Sequence, residues 1–310
     1  MWAAFWRYLF RRATGGRLSV LERDRLRGVV LADMLQRLGA TYVKFGQILS
    51  TRPDLFGPGI TDSLARLQDH VAPIPYDIVE GVIDGELDAT SRALLVAIEP
   101  EPLAAASVAQ VHRAELKDGT FIVLKVQRPL ARIQVDRDLV LMMLGAKFLN
   151  LFPSIKLLSL PGAVERFAEA MRGQLDFRLE AANNRRFAKN FEHLEGVDVP
   201  KLFDALCTER VLAMEFIDGV RATEPEKVGG DREAIAQKGL QCILQMVFDD
   251  GFVHADLHPG NIILTPDERV VLIDLGLVAE IEDELKGPWI ESFLAIGQYD
   301  AKSAARLFYT

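Results

Sequence analysis

Between residues 20 and 50 the apolar residues Leu31, Met34, Leu35, Leu38 and Tyr42 recur at intervals of three and four. That spacing predicts a helical segment with one buried face. Arg52-Pro53-Asp54 and Gly57-Pro58-Gly59 interrupt it. A second helix is expected over about 60–70, Pro73 and Pro75 mark another boundary, and Tyr76 to Gly85 reads as a short helix. The pattern then changes to short apolar runs. Val96 to Ile98 and Ala109 to Ala114 read as strands, Lys117 to Thr120 as a hairpin turn, and Phe121 to Val126 as a buried strand. Helical spacing returns over about 132–192. Strands are expected at Val199–Phe203, Arg210–Phe216 and Val270–Ile273. A long apolar helix covers Ala234–Gly251, a loop leads through Val253–Leu264 into a strand, and the tail from Glu282 is helical. No internal repeat or low-complexity segment interrupts this order.

The 310 residues suffice for two lobes or two domains, and 49% apolar against 26% charged residues is a globular balance. The net charge of −8 makes the chain a poor candidate for a general nucleic-acid binder, and two cysteines exclude a disulfide scaffold. Residues 1–30 oppose the global sign, with seven arginines against Glu22 and Asp24. The stretch Met1 to Arg12 interleaves Trp2, Phe5, Trp6, Tyr8 and Phe10 with arginine. It suits a helix lying in a membrane interface, or equally a first helix packing on its own domain. The apolar run Leu139–Leu151 is shorter than the roughly 20 residues of a spanning helix and reads as a buried helix, with membrane contact as the lesser alternative.

Candidate chemistry concentrates in the second half. His254-Ala255-Asp256-Leu257-His258-Pro259-Gly260-Asn261 places an Asp five residues before an Asn on a loop after an apolar helix. This is the D-x-x-x-x-N spacing of kinase catalytic loops. There the Asp orients the proton of an attacking hydroxyl and the Asn carbonyl oxygen ligates magnesium. Eighteen residues beyond Asp256, Asp274-Leu275-Gly276 closes the apolar run Val270–Ile273, where a kinase keeps its metal-binding aspartate. Gly276 is expected to let the chain turn away from that metal. His254 and His258 are four apart, as in helical zinc motifs, but Pro259-Gly260 argues against a continuous helix. His254 is better read as a brace for the loop, and Asp274 taken alone could be a strand-end cap.

Lys125 is a single charge within Ile122–Gln127, and burying it is costly unless it is paired. A kinase places such a lysine on the α- and β-phosphates and pairs it with a helical glutamate, for which Glu180 is the candidate. A lysine snorkelling from an edge strand is the plainer alternative. The preceding turn reads Ala104-Ala105-Ala106-Ser107. Alanine cannot take positive φ cheaply, so any nucleotide cradle there is stiffer than a glycine loop. Glu215 and Ile217, in Met214-Glu215-Phe216-Ile217, stand where backbone groups could bind adenine; otherwise they end an ordinary core strand.

Together with Lys44-Phe45-Gly46-Gln47 and its continuation to Phe56, these segments resemble the UbiB-like atypical kinases linked to ubiquinone biosynthesis, over residues 30–285. Lys44–Gln47 matches the family's K-x-G-Q, Ala104–Ser107 its alanine-rich loop, and His254–Asn261 its H-A-D-x-H-P-G-N. The resemblance implies an α+β, protein-kinase-like two-lobed fold with an N-terminal helical extension. The extension would span 1–92, the N-lobe with its Glu180 insert 93–217, and a shortened C-lobe 218–310. It implies ATP and Mg2+ as cofactors, with Lys125, Glu180, Asp256 and Lys44 as catalytic residues. Ala104, Ala105, Ala106, Ser107, Lys125, Glu215 and Ile217 would line the nucleotide, and Asn261 and Asp274 would hold the metal. Lys44 would point into the site, where the K-x-G-Q helix blocks a protein substrate.

The implied role is an ATPase or small-molecule kinase supporting ubiquinone synthesis, peripheral at a bacterial inner membrane on its cytoplasmic side. Expected partners are the membrane surface, isoprenoid or phenolic precursors, quinone-biosynthesis proteins and a second copy of the chain, with no nucleic acid. Three features depart from the family pattern. Gln174-Leu175-Asp176 stands for E-x-D, Asp274-Leu275-Gly276 for D-F-G, and the chain ends 36 residues beyond Asp274. Ala255 stands where H-R-D kinases carry an arginine that pairs with a phosphorylated loop, so control by that route is not expected. Two other readings stay open. One is a nucleotide-gated lipid-binding module with little turnover. The other is a soluble small-molecule kinase, against which the K-x-G-Q and alanine-rich segments argue.

Overall fold

A computed structural model of the chain describes residues 19–67, 71–152 and 159–307; the aromatic, arginine-rich stretch 1–12 lies outside them. The chain packs as two units, each made of separate segments. Unit 1 takes residues up to Gly85, Glu99–His112 and Lys125–Leu175. Unit 2 takes Glu86–Ile98, Arg113–Leu124 and Asp176 onward.

In unit 1, α1 (Val20–Leu38) starts at a capping box. The Ser19 hydroxyl accepts from the Glu22 N–H, and the Glu22 carboxylate accepts from the Ser19 N–H. Gly39, at φ 116°, ends α1 and turns the chain directly into α2 (Ala40–Ser50). The apolar spacing runs through this break without showing it. As a result Met34 and Leu38 are half exposed. The buried set is Leu35, Val43, Leu64 and Leu67, with Leu31 and Ala32 against it. The helix expected at 60–70 is α3 (Pro58–Leu64), which begins at the proline because a first-turn N–H has no intrahelical partner to lose. α4 (Tyr76–Glu86) follows the Pro73 and Pro75 boundary.

The expected helical run over 132–192 is three helices. α5 (Ala131–Leu149) and α6 (Leu160–Gly173) form an antiparallel pair in unit 1. α7 (Phe177–Asn190) opens unit 2 with Asp176 as its N-cap, accepting from the Arg178 N–H. The run Leu139–Leu151 is buried on one face only. Leu139, Met142 and Ala146 join the α5–α6 core, whereas Leu141, Leu144, Phe148 and Leu151 are exposed. No helix among the described residues is long and apolar enough to cross a membrane.

The main sheet contains β1 (Leu95–Ile98), β2 (Ala104–Ala105), β3 (Ala109–Leu116) and β4 (Phe121–Gln127). After the two-residue β5 (Val197–Asp198), β6 (Val211–Glu215) completes it, in the order β1-β3-β4-β6 with β2 on β3. The strand expected at Val199–Phe203 is not formed. Pro200 has no N–H for a ladder, and only Leu202 bridges, to Met214.

Unit 2 holds a small sheet, β5-β10-β9-β7, from β7 (Val220–Arg221), β9 (Ile262–Leu264) and β10 (Val270–Leu272). A separate pair joins β8 (Phe252–His254) to β11 (Val278–Glu280). The helix expected to reach Gly251 ends early. α8 (Arg232–Leu244) gives way to a π-helical turn, Gln245–Asp250, which Gly251 closes at φ 59°. The expected helical tail is α9 (Asp283–Gly297) and a short turn of helix at Ala301–Leu307.

Candidate functional site

The π-helical turn delivers the chain into β8, and β8 leads straight into Asp256. Hydrogen bonds then lace the Asp256 loop to the strand end carrying Asp274. The His254 Nε2 lies 3.3 Å from the Ile273 carbonyl, the Ile273 N–H donates to the Asn261 carbonyl at 2.9 Å, and the Ala255 N–H donates to the Leu277 carbonyl at 3.0 Å. Asp274 is therefore tied on both sides to the loop of Asp256 and Asn261. His254 is 2% exposed, and burial pushes its pKa below the ordinary histidine value. Its Nδ1 accepts the Asp256 N–H at 3.1 Å, so the neutral ring carries its proton on Nε2, facing Ile273. The expected brace is what the imidazole forms. His258 uses its own Nδ1 to accept the Gly260 N–H at 3.0 Å, capping the turn Pro259–Asn261. Arg221 adds a bond to the Gly260 carbonyl.

Asn261 is buried, and its Nδ2 donates to the Asp256 backbone carbonyl at 3.0 Å. That bond fixes the amide and leaves Oδ1 as its acceptor atom. Asp274 sits at φ 58°, in the left-handed region that few non-glycine residues occupy. Gly276 does not: the sharp turn expected at Gly276 is made by Asp274 instead. What Gly276 supplies is room. A Cβ there would lie 3.3 Å from the Glu180 Oε2 and 3.6 Å from the Asp274 Oδ1. Glu180, 5% exposed in the first turn of α7, thus sits beside the Asp274-Leu275-Gly276 segment. Leu275 is buried with Phe187, Phe252, Leu272 and Met246, the aromatic-lined cluster where a phenylalanine would otherwise pack. Its carbonyl accepts from Asn183 Nδ2 at 2.9 Å. Sequence reasoning passed over Asn183. Two adjacent poor helix formers, Asn183 and Asn184, inside an amphipathic helix were the available signal.

At the end of β6 the Glu215 N–H is taken by the Lys201 carbonyl at 2.8 Å, so Glu215 has only its carbonyl to offer a base. The Ile217 backbone, among the described residues, is outside any strand ladder. Arg113 lies over the Phe216 ring at 4.6 Å and over Phe121 at 4.1 Å.

Unit 1 carries the remaining candidates. Lys44 is half-buried on α2, two residues before Gly46 and three before Gln47. A Cβ on Gly46 would lie 2.5 Å from Leu67 Cδ1, so α2 approaches its neighbours there as only glycine permits. Gln47 Nε2 donates to the Leu67 carbonyl at 3.1 Å. The alanine segment is β2 and its turn: Ala104 pairs with Val111, Ala105 with Gln110, and the Ala106 N–H donates to the Ala109 carbonyl at 2.9 Å. None of Ala104, Ala105, Ala106 and Ser107 has positive φ, as the composition requires. Tyr42 and Phe45 of α2 and Val108 of this turn pack on one core with α5 and α6. In β4, Ile122, Leu124 and Val126 are fully buried, and Lys125 falls on the opposite, half-buried face with Val123. In the order of the main sheet β4 stands next to β3 and β6. Gln127, two residues on, donates to the Leu175 carbonyl at 2.7 Å.

A family model described as the ABC1 atypical kinase-like domain matches residues 66–308. The chain belongs to this family. Proteins named "Probable protein kinase UbiB" are 36% identical to it, one from Vibrio cholerae over 293 residues and one from Shewanella piezotolerans over 296. They match 92% and 93% of this chain, and the chain spans about half, 54%, of their length. A solved structure, Rv3197 of Mycobacterium tuberculosis in complex with erythromycin, superposes with a TM-score of 0.61 at 28% identity, over 84% of this chain and 67% of that one. The kinase-like α+β fold expected from the motifs is the fold of the chain.

Proposed function

We propose that the chain binds Mg-ATP and hydrolyses it, or transfers its γ-phosphoryl group to a small acceptor, in support of isoprenoid quinone synthesis at a membrane surface. The carrying observation is the laced pair of segments in unit 2. Asp256, Asn261 and Asp274 are fixed by backbone bonds on either side of Asp274, with the Glu180 carboxylate beside them. Asn261 Oδ1 and the Asp274 carboxylate are hard oxygen donors, which suits magnesium. They are the residues assigned to hold it. Bound there, the ion would neutralise charge on the phosphate oxygens. Asp256 is assigned to orient the attacking hydroxyl or water, Lys125 to hold the α- and β-phosphates, and Glu180 to orient Lys125. Glu215 and Ile217 are assigned to the base, Ala104 to Ser107 to cover the phosphates, and Lys44 to restrain nucleotide or substrate. Positioning and charge supply most of the catalysis in phosphoryl transfer, and fixed side chains are what this requires.

Quinone synthesis as the setting rests on the resemblance to the UbiB-like kinases, whose name the relatives share. Exposed apolar side chains on α5 and just past its end support an encounter with lipid: Leu141, Leu144 and Phe148, then Leu151. In this reading the protein works peripherally on the cytoplasmic side of a bacterial inner membrane. It would meet isoprenoid or phenolic precursors and quinone-biosynthesis proteins there, and self-associate as a homodimer. A second reading, a nucleotide-gated lipid-binding module with negligible turnover, is favoured by Gln174, which stands where the family carries a carboxylate.

The test is ATP hydrolysis by the purified chain, with and without anionic liposomes, against Asp274→Asn. Lipid-stimulated turnover that vanishes in the variant supports the main reading. Nucleotide binding without turnover, together with co-purified isoprenoid lipid, supports the second. Equal turnover in wild type and variant defeats the assignment of Asp274.

A further inference from the structure

The alanine-rich turn is fastened to a stretch of chain far away in sequence, and one arginine makes the connection. Arg128 directly follows β4. Its backbone N–H donates to the Val108 carbonyl at 2.9 Å. Its Nε donates to the Ala106 carbonyl at 2.9 Å, and its Nη2 donates to the Ala72 carbonyl at 2.9 Å. One guanidinium therefore spans two carbonyls, one in the turn and one in the segment that follows the K-x-G-Q helices.

Two residues beyond Ala72 the same segment is gripped again. The Ile74 N–H donates to Gln110 Oε1 at 2.9 Å, and the Ile74 carbonyl accepts from Gln110 Nε2 at 3.3 Å. Gln110 stands opposite Ala105 in the β2–β3 ladder and is 1% exposed. Its orientation is enforced by His112, which is fully buried. The His112 Nδ1 lies 2.7 Å from the Glu99 carbonyl, an acceptor only, so Nδ1 carries the proton. Nε2 then accepts from Gln110 Nε2 at 2.9 Å, which points Oε1 at the Ile74 N–H. On another side Ser107 and Val108 border a cavity of about 200 Å³ that also touches Gly39, Thr41 and Gln134. Packing alone thus leaves the turn room to shift.

We propose that Ala72–Ile74 is a strap across the alanine-rich turn and that Arg128 is the positioning residue that holds the turn in its nucleotide-ready shape. The proposal rests on the kinase-like reading for its effect on nucleotide, but the strap itself does not. Arg128 touches no nucleotide in this scheme; it acts through the Ala106 carbonyl. Lysine cannot replace it, because an ammonium on a flexible stem does not present the planar fork that reaches two separate carbonyls. A turn released from Arg128 keeps its own Ala106–Ala109 bond and must be ordered again each time nucleotide binds.

The experiment compares Arg128→Gln and Arg128→Lys with wild type by steady-state ATPase kinetics and by amide hydrogen exchange of the full chain. In Arg128→Gln, the KM for ATP is expected to rise about five- to tenfold, the scale of losing one charge-assisted hydrogen bond in part. The kcat is expected to stay within about twofold, because the groups assigned to the reaction are untouched. Exchange at 72–76 and at 104–110 quickens together. Arg128→Lys behaves as Arg128→Gln, and added guanidinium restores the KM of Arg128→Gln. Faster exchange in only one of the two segments, or in neither, overturns the strap. Faster exchange in both with unchanged KM overturns the positioning role. Should wild type neither bind nor turn over nucleotide, the kinase-like reading and the positioning role fall together, and the exchange data still decide the strap.

Discussion

Asp274 combines an unusual backbone with an assigned metal-binding carboxylate, and substitution can separate the two. At φ 58° an ordinary L-residue pays roughly 1–2 kcal/mol, glycine pays nothing, and Asp or Asn offset part of the cost by local hydrogen bonding. The ties at Ile273 and Leu277 hold the backbone in this region whatever the side chain. Asp274→Asn is therefore expected to keep wild-type stability. Asp274→Ala should be destabilised, and Asp274→Gly should exceed Asp274→Ala by about 1 kcal/mol. All three lose the carboxylate. Mg-ADP at 100 times its dissociation constant stabilises a protein that binds it by about 2.7 kcal/mol. That increment should appear in wild type and vanish from all three variants. Urea denaturation with and without Mg-ADP measures both quantities in one series. An alanine variant as stable as the glycine variant would refute the strain argument. A full Mg-ADP increment in Asp274→Asn would refute the metal assignment.

Gly276→Ala should fold normally, since Gly276 is not at positive φ, yet its methyl would press on the Glu180 and Asp274 carboxylates at 3.3 and 3.6 Å. Turnover is expected to fall about tenfold or more; a kcat within twofold of wild type would show that the spacing is not critical. Gly46→Ala drives a Cβ to 2.5 Å from Leu67 and 2.7 Å from Leu35, and overpacking of this kind costs about 1–3 kcal/mol, readable as a lower urea midpoint. Burial pushes the Cys242 thiol up to about 12, so at pH 8 it should resist thiol reagents until the chain is denatured. Because its folded pKa is raised, the stability linked to Cys242 is held below pH 9 and lost as pH climbs toward 12. Cys242→Ala should therefore flatten the alkaline limb of the stability profile.

The candidate chemistry stood out in the sequence wherever a polar residue stood in an apolar run, because such placement is costly without a reason. Lys125 within β4 and Asp274 after β10 are such cases, and the spacing from Asp256 to Asn261 joined them to a known loop. Element types were mostly legible for a related reason: periods of 2 and 3.6 are set by what must be buried. The misreadings lie where periodicity carries no information. Apolar residues continue in phase through Gly39, so the break between α1 and α2 was invisible. An i→i+5 turn at Gln245–Asp250 shows the same apolar composition as the helix before it. The left-handed residue was placed at Gly276 because glycine is the usual occupant. The bonds at Ile273 and Leu277 impose it on Asp274 instead, and those bonds join segments whose register no local pattern shows. Arg128 and Asn183 act on backbone carbonyls of distant segments and left no mark in the spacing of hydrophobic residues.

The departures at Leu275 and Ala255 point to a single physical consequence. In kinases that carry arginine before the catalytic aspartate, a phosphate on a flexible loop can supply the charge that orders the D-F-G region. Here Ala255 has no side chain for that purpose, and its N–H is bound to the Leu277 carbonyl. Order is supplied by permanent contacts. Asn183 holds the Leu275 carbonyl, the Leu275 side chain is buried in the Phe187–Phe252 cluster, and the neutral His254 joins Asp256 to Ile273. Each is an uncharged or backbone interaction inside a buried region, so it is weakly screened by salt and does not wait on a modification. An apparatus ordered in this way has its Asp274 segment set from folding onward. Control of the proposed turnover would then act elsewhere, and the alanine-rich turn, bordered by a cavity and bonded by Arg128, is one part of unit 1 with room to move.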